Sequence, residues 1–372
     1  MRGLFILSNT LRVNKNIYGF EVQMTSLLAD IGGTNVRFSF VKGTSATLLK
    51  PESYKVADFS TIEDAVLNYC SKHKISPTAL SFCVAAPVTQ NEVVFTNNHW
   101  KFKKDALKNF LGAEKILCLN DFTAQALSQI PYFQNNNEKH IKTWCNEPTS
   151  YIHKIFNGVE NHNAPLFVLG PGTGLGSSTL VPINKTFKAL EAEGGHIHFP
   201  PTNNIEIELL VWLQNQYGSV SAESIISGPG LENIYRFLIS RKKGPALKNK
   251  NQEPSTLSAE NIGNLALAGN TIALLAVNIM FGALGTVAAN GVLTTGSFRG
   301  LIISGGIIPK IPTLFLKSPF YKSFINNRPK YLKLLKKVPV YLSSDPYSGL
   351  KGCQQALINP FYKNQINFFT SH

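Results

Sequence analysis

The chain has 372 residues, 44% hydrophobic and 16% charged, and its 36 Lys+Arg against 22 Asp+Glu leave a formal charge of +14. This composition excludes intrinsic disorder and gives material for one large domain or two of ordinary size. Part of the positive excess collects at Arg241-Lys242-Lys243 and between Lys310 and Lys337. Neither stretch carries a stacking pattern or a nucleic-acid module, so a nucleic-acid partner is excluded and a solvated basic surface is expected.

Residues 1–23 have weak periodicity. Their short apolar run is broken by Ser8 and Asn9, and no small-x-small cleavage site follows, so they read as a poorly ordered extension rather than a signal peptide. Ser26–Ile31 and Val36–Val41 are predicted strands joined by the turn Gly32-Gly33-Thr34. Thr61–His73 is a predicted helix. Strands follow at Leu80–Ala86, stopped by Pro87, at Val93–Thr96 and at Lys115–Leu119, and Asp121–Gln129 has helical character. Pro131–Pro165 is polar and irregular, and is expected to be a surface excursion where the chain crosses between domains. Leu166–Gly170 and Ser177–Val181 are strands around a glycine-rich turn. From Glu260 to Arg299 no charge occurs, but Asn261, Asn264, Asn270, Asn278 and Asn290 would be costly in lipid, so a buried helix near 270–290 is expected rather than a membrane span. The five cysteines form no C-x-x-C pair, which favours reduced structural thiols in a cytoplasmic protein and no zinc site.

Leu27–Phe40 and Phe167–Leu180 share one plan: apolar strand, glycine hairpin, second strand. A hairpin repeated in each half points to a two-lobed α/β ATPase with a cleft between the lobes. In Ala29-Asp30-Ile31-Gly32-Gly33-Thr34-Asn35 the glycines let backbone N–H groups approach phosphate oxygens, Thr34 and Asn35 add donors, and Asp30 can hold Mg²⁺ directly or through water. An ordinary hairpin with a turn Asp is the competing reading. Gly170-Pro171-Gly172-Thr173-Gly174-Leu175-Gly176 lacks the Lys-Ser/Thr of a P-loop and the frame of a dinucleotide fingerprint, which leaves a phosphate hairpin or a structural turn.

Asn120-Asp121 follows a strand. Asp121 can take a proton from an attacking hydroxyl or cap the following helix. Glu193-Gly194-Gly195-His196 and Ser221-Ala222-Glu223 offer acceptors and a donor suited to a polyol, or simply lie in loops. Gly305-Gly306 ends the apolar run Ile302-Ile303, either against a nucleoside or as a plain turn.

Singly these signals are modest, but their order is specific. LLADIGGTN, FTNNHW, LNDFTAQAL, LGPGTGLGSS, EAEGGH, SAESIISGPGLENIYRFL and LIISGGIIPK together closely resemble the bacterial glucokinase family, from about Met24 to Ala356. The resemblance implies the α/β fold of the hexokinase and actin-like (ribonuclease H-like) ATPases, with two lobes closing over sugar and ATP. The expected lobes are 24–131 plus 345–372, the smaller, and 132–344, the larger. It implies ATP, Mg²⁺ and glucose as ligands and a homodimer as a plausible assembly; no membrane partner is expected. By motif match Asp121 is the expected base. Asn97, Asn120, Glu193, His196 and Glu223 are the expected sugar ligands, with Trp100 nearby. Residues 29–35, Gly172, Thr173, Gly174, Gly305 and Gly306 are the expected ATP contacts. Kinases for another hexose or an amino sugar fit the same ligand set, and a non-catalytic sugar sensor is the reading from a different class. His198 departs from the acidic residue that often follows GGH-x.

Overall fold

The computed structural model describes residues 24–45, 47–86, 88, 91–95, 98–134, 141–143, 150–243 and 257–363. The expected extension at 1–23 and the expected sugar ligand Asn97 lie outside the described residues. The strands are β1 (Thr25–Ile31), β2 (Asn35–Lys42), β3 (Leu49–Lys55), β4 (Ala79–Val84), β5 (Glu92–Val94), β6 (Lys101–Lys103), β7 (Lys115–Asn120), β8 (Lys142–Thr143), β9 (Ile152–Phe156), β10 (Leu166–Pro171), β11 (Leu175–Ile183), β12 (Thr186–Ala192), β13 (Gly300–Ile303) and β14 (Val340–Ser343). The helices are α1 (Ile62–His73), α2 (Lys104–Phe110), α3 (Asp121–Leu127), α4 (Ile130–Phe133), α5 (Asn204–Tyr217), α6 (Gly228–Lys243), α7 (Ala259–Leu267), α8 (Thr271–Thr295), α9 (Pro312–Lys317), α10 (Phe320–Phe324), α11 (Pro329–Leu335), α12 (Ser348–Ile358) and α13 (Pro360–Lys363).

One sheet runs β3-β2-β1-β4-β7 and the other β12-β11-β10-β13-β14-β9-β8. In each, an antiparallel three-strand meander is extended by two parallel strands. The hairpins β1–β2 and β10–β11 therefore occupy equivalent places, which is the structural content of the echo between the two halves of the sequence.

Side-chain alternation gives each sheet two buried faces. In β1, Leu27, Ala29 and Ile31 pack toward α1 residues such as Ala65 and Tyr69, while Leu28 faces the other way. In β10, Phe167 and Leu169 face the α8 side, and Leu166 and Val168 share a core with Leu28. That shared core contains α3 and α12. Helix α3 follows the first sheet yet packs on β11 and β12 of the second, and α12 follows the second yet packs on β1, β2 and β4 of the first. The helices cross closely, because a Cβ on Gly352 would overlap the Ala124 carbonyl oxygen.

Helix α8 forms where the charge-free stretch predicts it. Asn270 Oδ1 accepts the N–H groups of Ile272 at 3.1 Å and Ala273 at 3.0 Å, and the helix stops at Gly296 in the left-handed region, φ 66°. It is long and apolar enough to cross a membrane, but 78% of its most apolar window is buried within the protein.

Pro131–Pro165 departs from expectation. It is not only an irregular excursion, because β9 pairs antiparallel with β14 and buries Ile152 and His153 completely. Its mix of Ile, His and Lys hides the strand from a search for apolar runs. Strands β3 and β12, both sheet edges with polar sequences, escape the same search.

Gly352→Ala should destabilise the protein by about 1–3 kcal/mol or more, the range for overpacking a tight contact. Urea unfolding measures it, and a loss under about 0.5 kcal/mol, the size of a neutral surface change, would mean that the α3–α12 crossing is looser than described.

Candidate active site

Strand β7 delivers Asn120 and Asp121 to the junction of the two sheets. Asn120 is the N-cap of α3, its Oδ1 accepting from Phe122 N–H at 2.9 Å and Thr123 N–H at 3.3 Å. This corrects the reading of Asp121 as the cap. Asp121 is the first helical residue, and its Oδ1 accepts the Phe122 N–H at 2.8 Å. The Phe122 ring is seated on the second glycine hairpin. A Cβ on Gly170 would lie 2.7 Å from Phe122 Cζ, and one on Gly176 would overlap the ring. Glycine at both positions is therefore a packing requirement, and the seat brings Asp121 beside the hairpin.

The Asp121 carboxyl is pushed up to about 6. Burial is the main cause, followed by the negative charge of Asp30, with Glu193 adding to it; the Phe122 N–H opposes the rise. These three expected site residues, from β1, from α3 and from the loop after β12, thus lie within electrostatic reach of one another.

Asp30 is half-buried, one residue before the end of β1. Its Oδ2 accepts from Arg37 on β2 at 3.2 Å, and its Oδ1 accepts from the Cys83 thiol at 3.5 Å. The start of α12 lies flat on it, since a Cβ on Gly349 would be 2.6 Å from the carboxyl carbon. In the turn, Gly32 N–H donates to Asn35 O at 2.9 Å, and Thr34 and Asn35 are exposed. Ala29 and Ile31 turn their side chains into the α1 core, so any part they play toward a ligand is through backbone. Asn98 Nδ2 donates to Gly32 O at 3.0 Å and so ties FTNNHW to this turn. Sequence reasoning missed Asn98 in favour of its neighbour. Trp100 is buried, and its indole N–H donates to Phe59 O at 3.2 Å.

The second hairpin is clamped from three directions. Within it, Gly172 N–H donates to Gly174 O at 2.7 Å, leaving Thr173 exposed. The Glu193–His196 loop lies against it, with Gly194 N–H donating to Ser177 Oγ at 3.1 Å and no room for a Cβ between Gly195 and Leu175 O. The Ser221–Gly228 segment holds the other side through Leu175 N–H to Glu223 Oε2 at 2.8 Å and Gly228 N–H to Gly172 O at 2.9 Å. Gly305 takes φ 90° and presses on Pro171, while Gly306 has nothing within 4 Å of a Cβ position, leaving open space above the turn. Glu193 and His196 are exposed.

A cavity of about 340 Å³, lined by residues including His162, Lys185 and Arg299, lies at the β11–β12 turn, at the far end of the strands from Gly172. Among the described residues no three or more His, Cys, Asp or Glu form a metal cage. A single carboxylate, Asp30, beside a glycine turn still fits Mg²⁺, which keeps most of its shell from water and phosphate oxygens.

Two sheets of one topology, a glycine turn at the tip of each leading hairpin and a carboxylate between them define a two-lobed sugar kinase. Comparison with known proteins narrows the class. Residues 27–359 match the model of the glucokinase family. A glucokinase of Marinobacter nauticus is 35% identical over 338 residues, covering 90% of this chain and 97% of its own length. The solved glucokinase of an Antarctic psychrotroph superposes with TM-score 0.74 at 28% identity, over 90% of this chain and 99% of that one. A Streptomyces griseus glucokinase of the ROK family, solved with glucose and AMPPNP, shares the fold at TM-score 0.57 and 18% identity, over 89% and 98% of the two chains. The chain belongs to the glucokinase family.

The raised Asp121 carboxyl makes a stability prediction with a definite sign. Its folded value near 6 exceeds the ordinary ~3.9, so its favourable contribution is complete below about 4 and is lost as pH rises through 6. Asp121→Asn keeps the Asn120 cap and cannot ionise. It should match the parent's melting temperature near pH 4 and exceed it at pH 7.5. A variant less stable than the parent at pH 7.5 would contradict this placement of charge.

Proposed function

We infer that the protein transfers the γ-phosphoryl group of ATP to the 6-hydroxyl of glucose. The observation that carries the reading is the Asp121 carboxylate, held at the tip of β7 beside a clamped glycine hairpin and tuned close to neutrality. A base with a value near the working pH combines a useful ionised fraction with useful proton affinity. In this reading Asp121 accepts the hydroxyl proton as the sugar oxygen attacks phosphorus.

Glu193, His196, Glu223 and the Asn120 amide are assigned to the sugar hydroxyls. The Asn120 Oδ1 is occupied by the cap, so only its Nδ2 is available to a ligand. The turns at 30–35 and 172–174 are assigned to the phosphates, where backbone N–H groups stabilise charge as the phosphoryl group moves. Asp30 would hold Mg²⁺ directly or through water, and that ion when bound neutralises phosphate charge. Gly305 and Gly306 are assigned to the nucleoside, with the open space above Gly306 as support. The lobes 24–131 with 345–372 and 132–344 would close over the ligands and exclude water. A cytoplasmic, glycolytic role and a homodimer complete the proposal.

The experiment is glucose-dependent ADP release by the parent and by Asp121→Asn. The parent should release ADP only with sugar present. The variant should lose about 10²–10⁴-fold in kcat, the usual worth of a general base, with nucleotide affinity retained. Turnover within about threefold of the parent would remove Asp121 from that role.

A further inference from the structure

The hairpin assigned to phosphate and the segment assigned to sugar share one carboxylate. Glu223 Oε2 accepts the Leu175 N–H at 2.8 Å, and a methyl group on Gly174 would run into that same oxygen. The surrounding backbone fixes Glu223 in turn: its N–H donates to Gly195 O at 2.9 Å, and its carbonyl accepts from Ser227 Oγ at 2.7 Å. A carboxylate has two acceptor oxygens. Oε2 is committed to the hairpin, while Oε1 has no hydrogen-bond partner among the described residues.

We propose that Glu223 is a positioning residue that couples sugar occupancy to the grip of the phosphate hairpin, one oxygen holding Leu175 and the other a sugar hydroxyl. The proposal rests on the reading of Glu223 as a sugar ligand. Without sugar, the carboxylate is held by Leu175 alone and can swing. A sugar hydroxyl on Oε1 fixes the carboxylate, and the fixed carboxylate fixes the Gly174-Leu175 turn. Because coupling free energy is reciprocal, glucose tightens nucleotide by the same factor as nucleotide tightens glucose. The turn then grips the γ-phosphate well only when an acceptor hydroxyl is in place, which disfavours transfer to water.

Titration calorimetry of AMPPNP with Mg²⁺, with and without saturating glucose, tests this on the intact protein. In the parent, glucose should tighten AMPPNP at least about fivefold, the lower end for coupled sites. In Glu223→Gln the amide oxygen can keep the Leu175 N–H, but the atom facing the sugar becomes an NH2 that donates and cannot accept a hydroxyl proton as Oε1 does, so its coupling should fall to within about twofold of none. Gly174→Ala displaces Oε2 from the opposite side and should lose the same coupling, although residue 174 is not a sugar ligand. Combining the two should lose no more than either alone.

Parent-like coupling in either single variant overturns the proposal, and so does a parent without coupling. If Glu223→Gln weakens glucose while coupling persists, the sugar-ligand reading stands and the proposal falls. If it leaves glucose affinity unchanged and weakens only AMPPNP, Glu223 merely supports the hairpin and both fall. If it binds no glucose at all, Gly174→Ala decides.

Discussion

The contact on which the site depends is an aromatic ring against two glycines. Phe122 fills the space that side chains at Gly170 and Gly176 would occupy. Phe122 immediately follows Asp121, and the hairpin it rests on belongs to the other sheet. One hydrophobic contact therefore sets the distance between a carboxylate of the first half and a phosphate-type turn of the second. Its neighbours reinforce it. Asn120 pins the first turn of α3, Ser304 Oγ donates to Gln125 on the same helix at 2.9 Å, and the Gly352–Ala124 crossing fixes the far side. A larger residue at any of these glycines would move Asp121 as well as loosen the fold.

The second constraint is electrostatic. Among the described residues Asp30, Asp121 and Glu193 converge without a buried cation paired to them; the ion pair of Asp30 is with Arg37, whose side chain is 44% exposed, so it contributes little. Such a cluster costs stability when empty. It suits a site whose ligands bring their own positive charge and hydroxyl donors, and it keeps one carboxyl near neutrality without a histidine. The same neighbourhood raises the buried Cys83 thiol far above its ordinary range: the Cys353 thiol beside it is the largest cause, then burial, then the charges of Asp30 and Asp121. Cys83 therefore stays protonated and serves as a donor to Asp30.

Much of this was legible in the sequence, and what was not has physical reasons. The paired hairpins, α1 and α8 were readable because a glycine turn between apolar strands and a charge-free run are local signals. The order of motifs identified the family and pointed to Asp30, Asp121, Glu193 and Glu223. Strand β9 was not readable, because a strand whose polar residues find partners after folding carries no periodic apolar mark. The identity of the cap was not readable either, since Asn120 and Asp121 are both good caps and only backbone geometry chooses. Nor could spacing show that Glu223 touches the hairpin 48 residues earlier in the chain, or that Asn98 rather than Trp100 faces the first turn. These are contacts across the chain, and they decide how the site works.

The central claim is that one carboxylate, raised toward neutrality by burial and by its neighbours, accepts the proton from the sugar. The pH dependence of kcat/KM for glucose reads it most directly, because that profile reports the ionisation of the essential base. The account predicts an acid limb with a midpoint near 6, falling as pH drops and Asp121 becomes protonated, and absent from the residual activity of Asp121→Asn. A parent profile that stays flat down to about pH 5, as an ordinary carboxylate near ~3.9 would give, contradicts it.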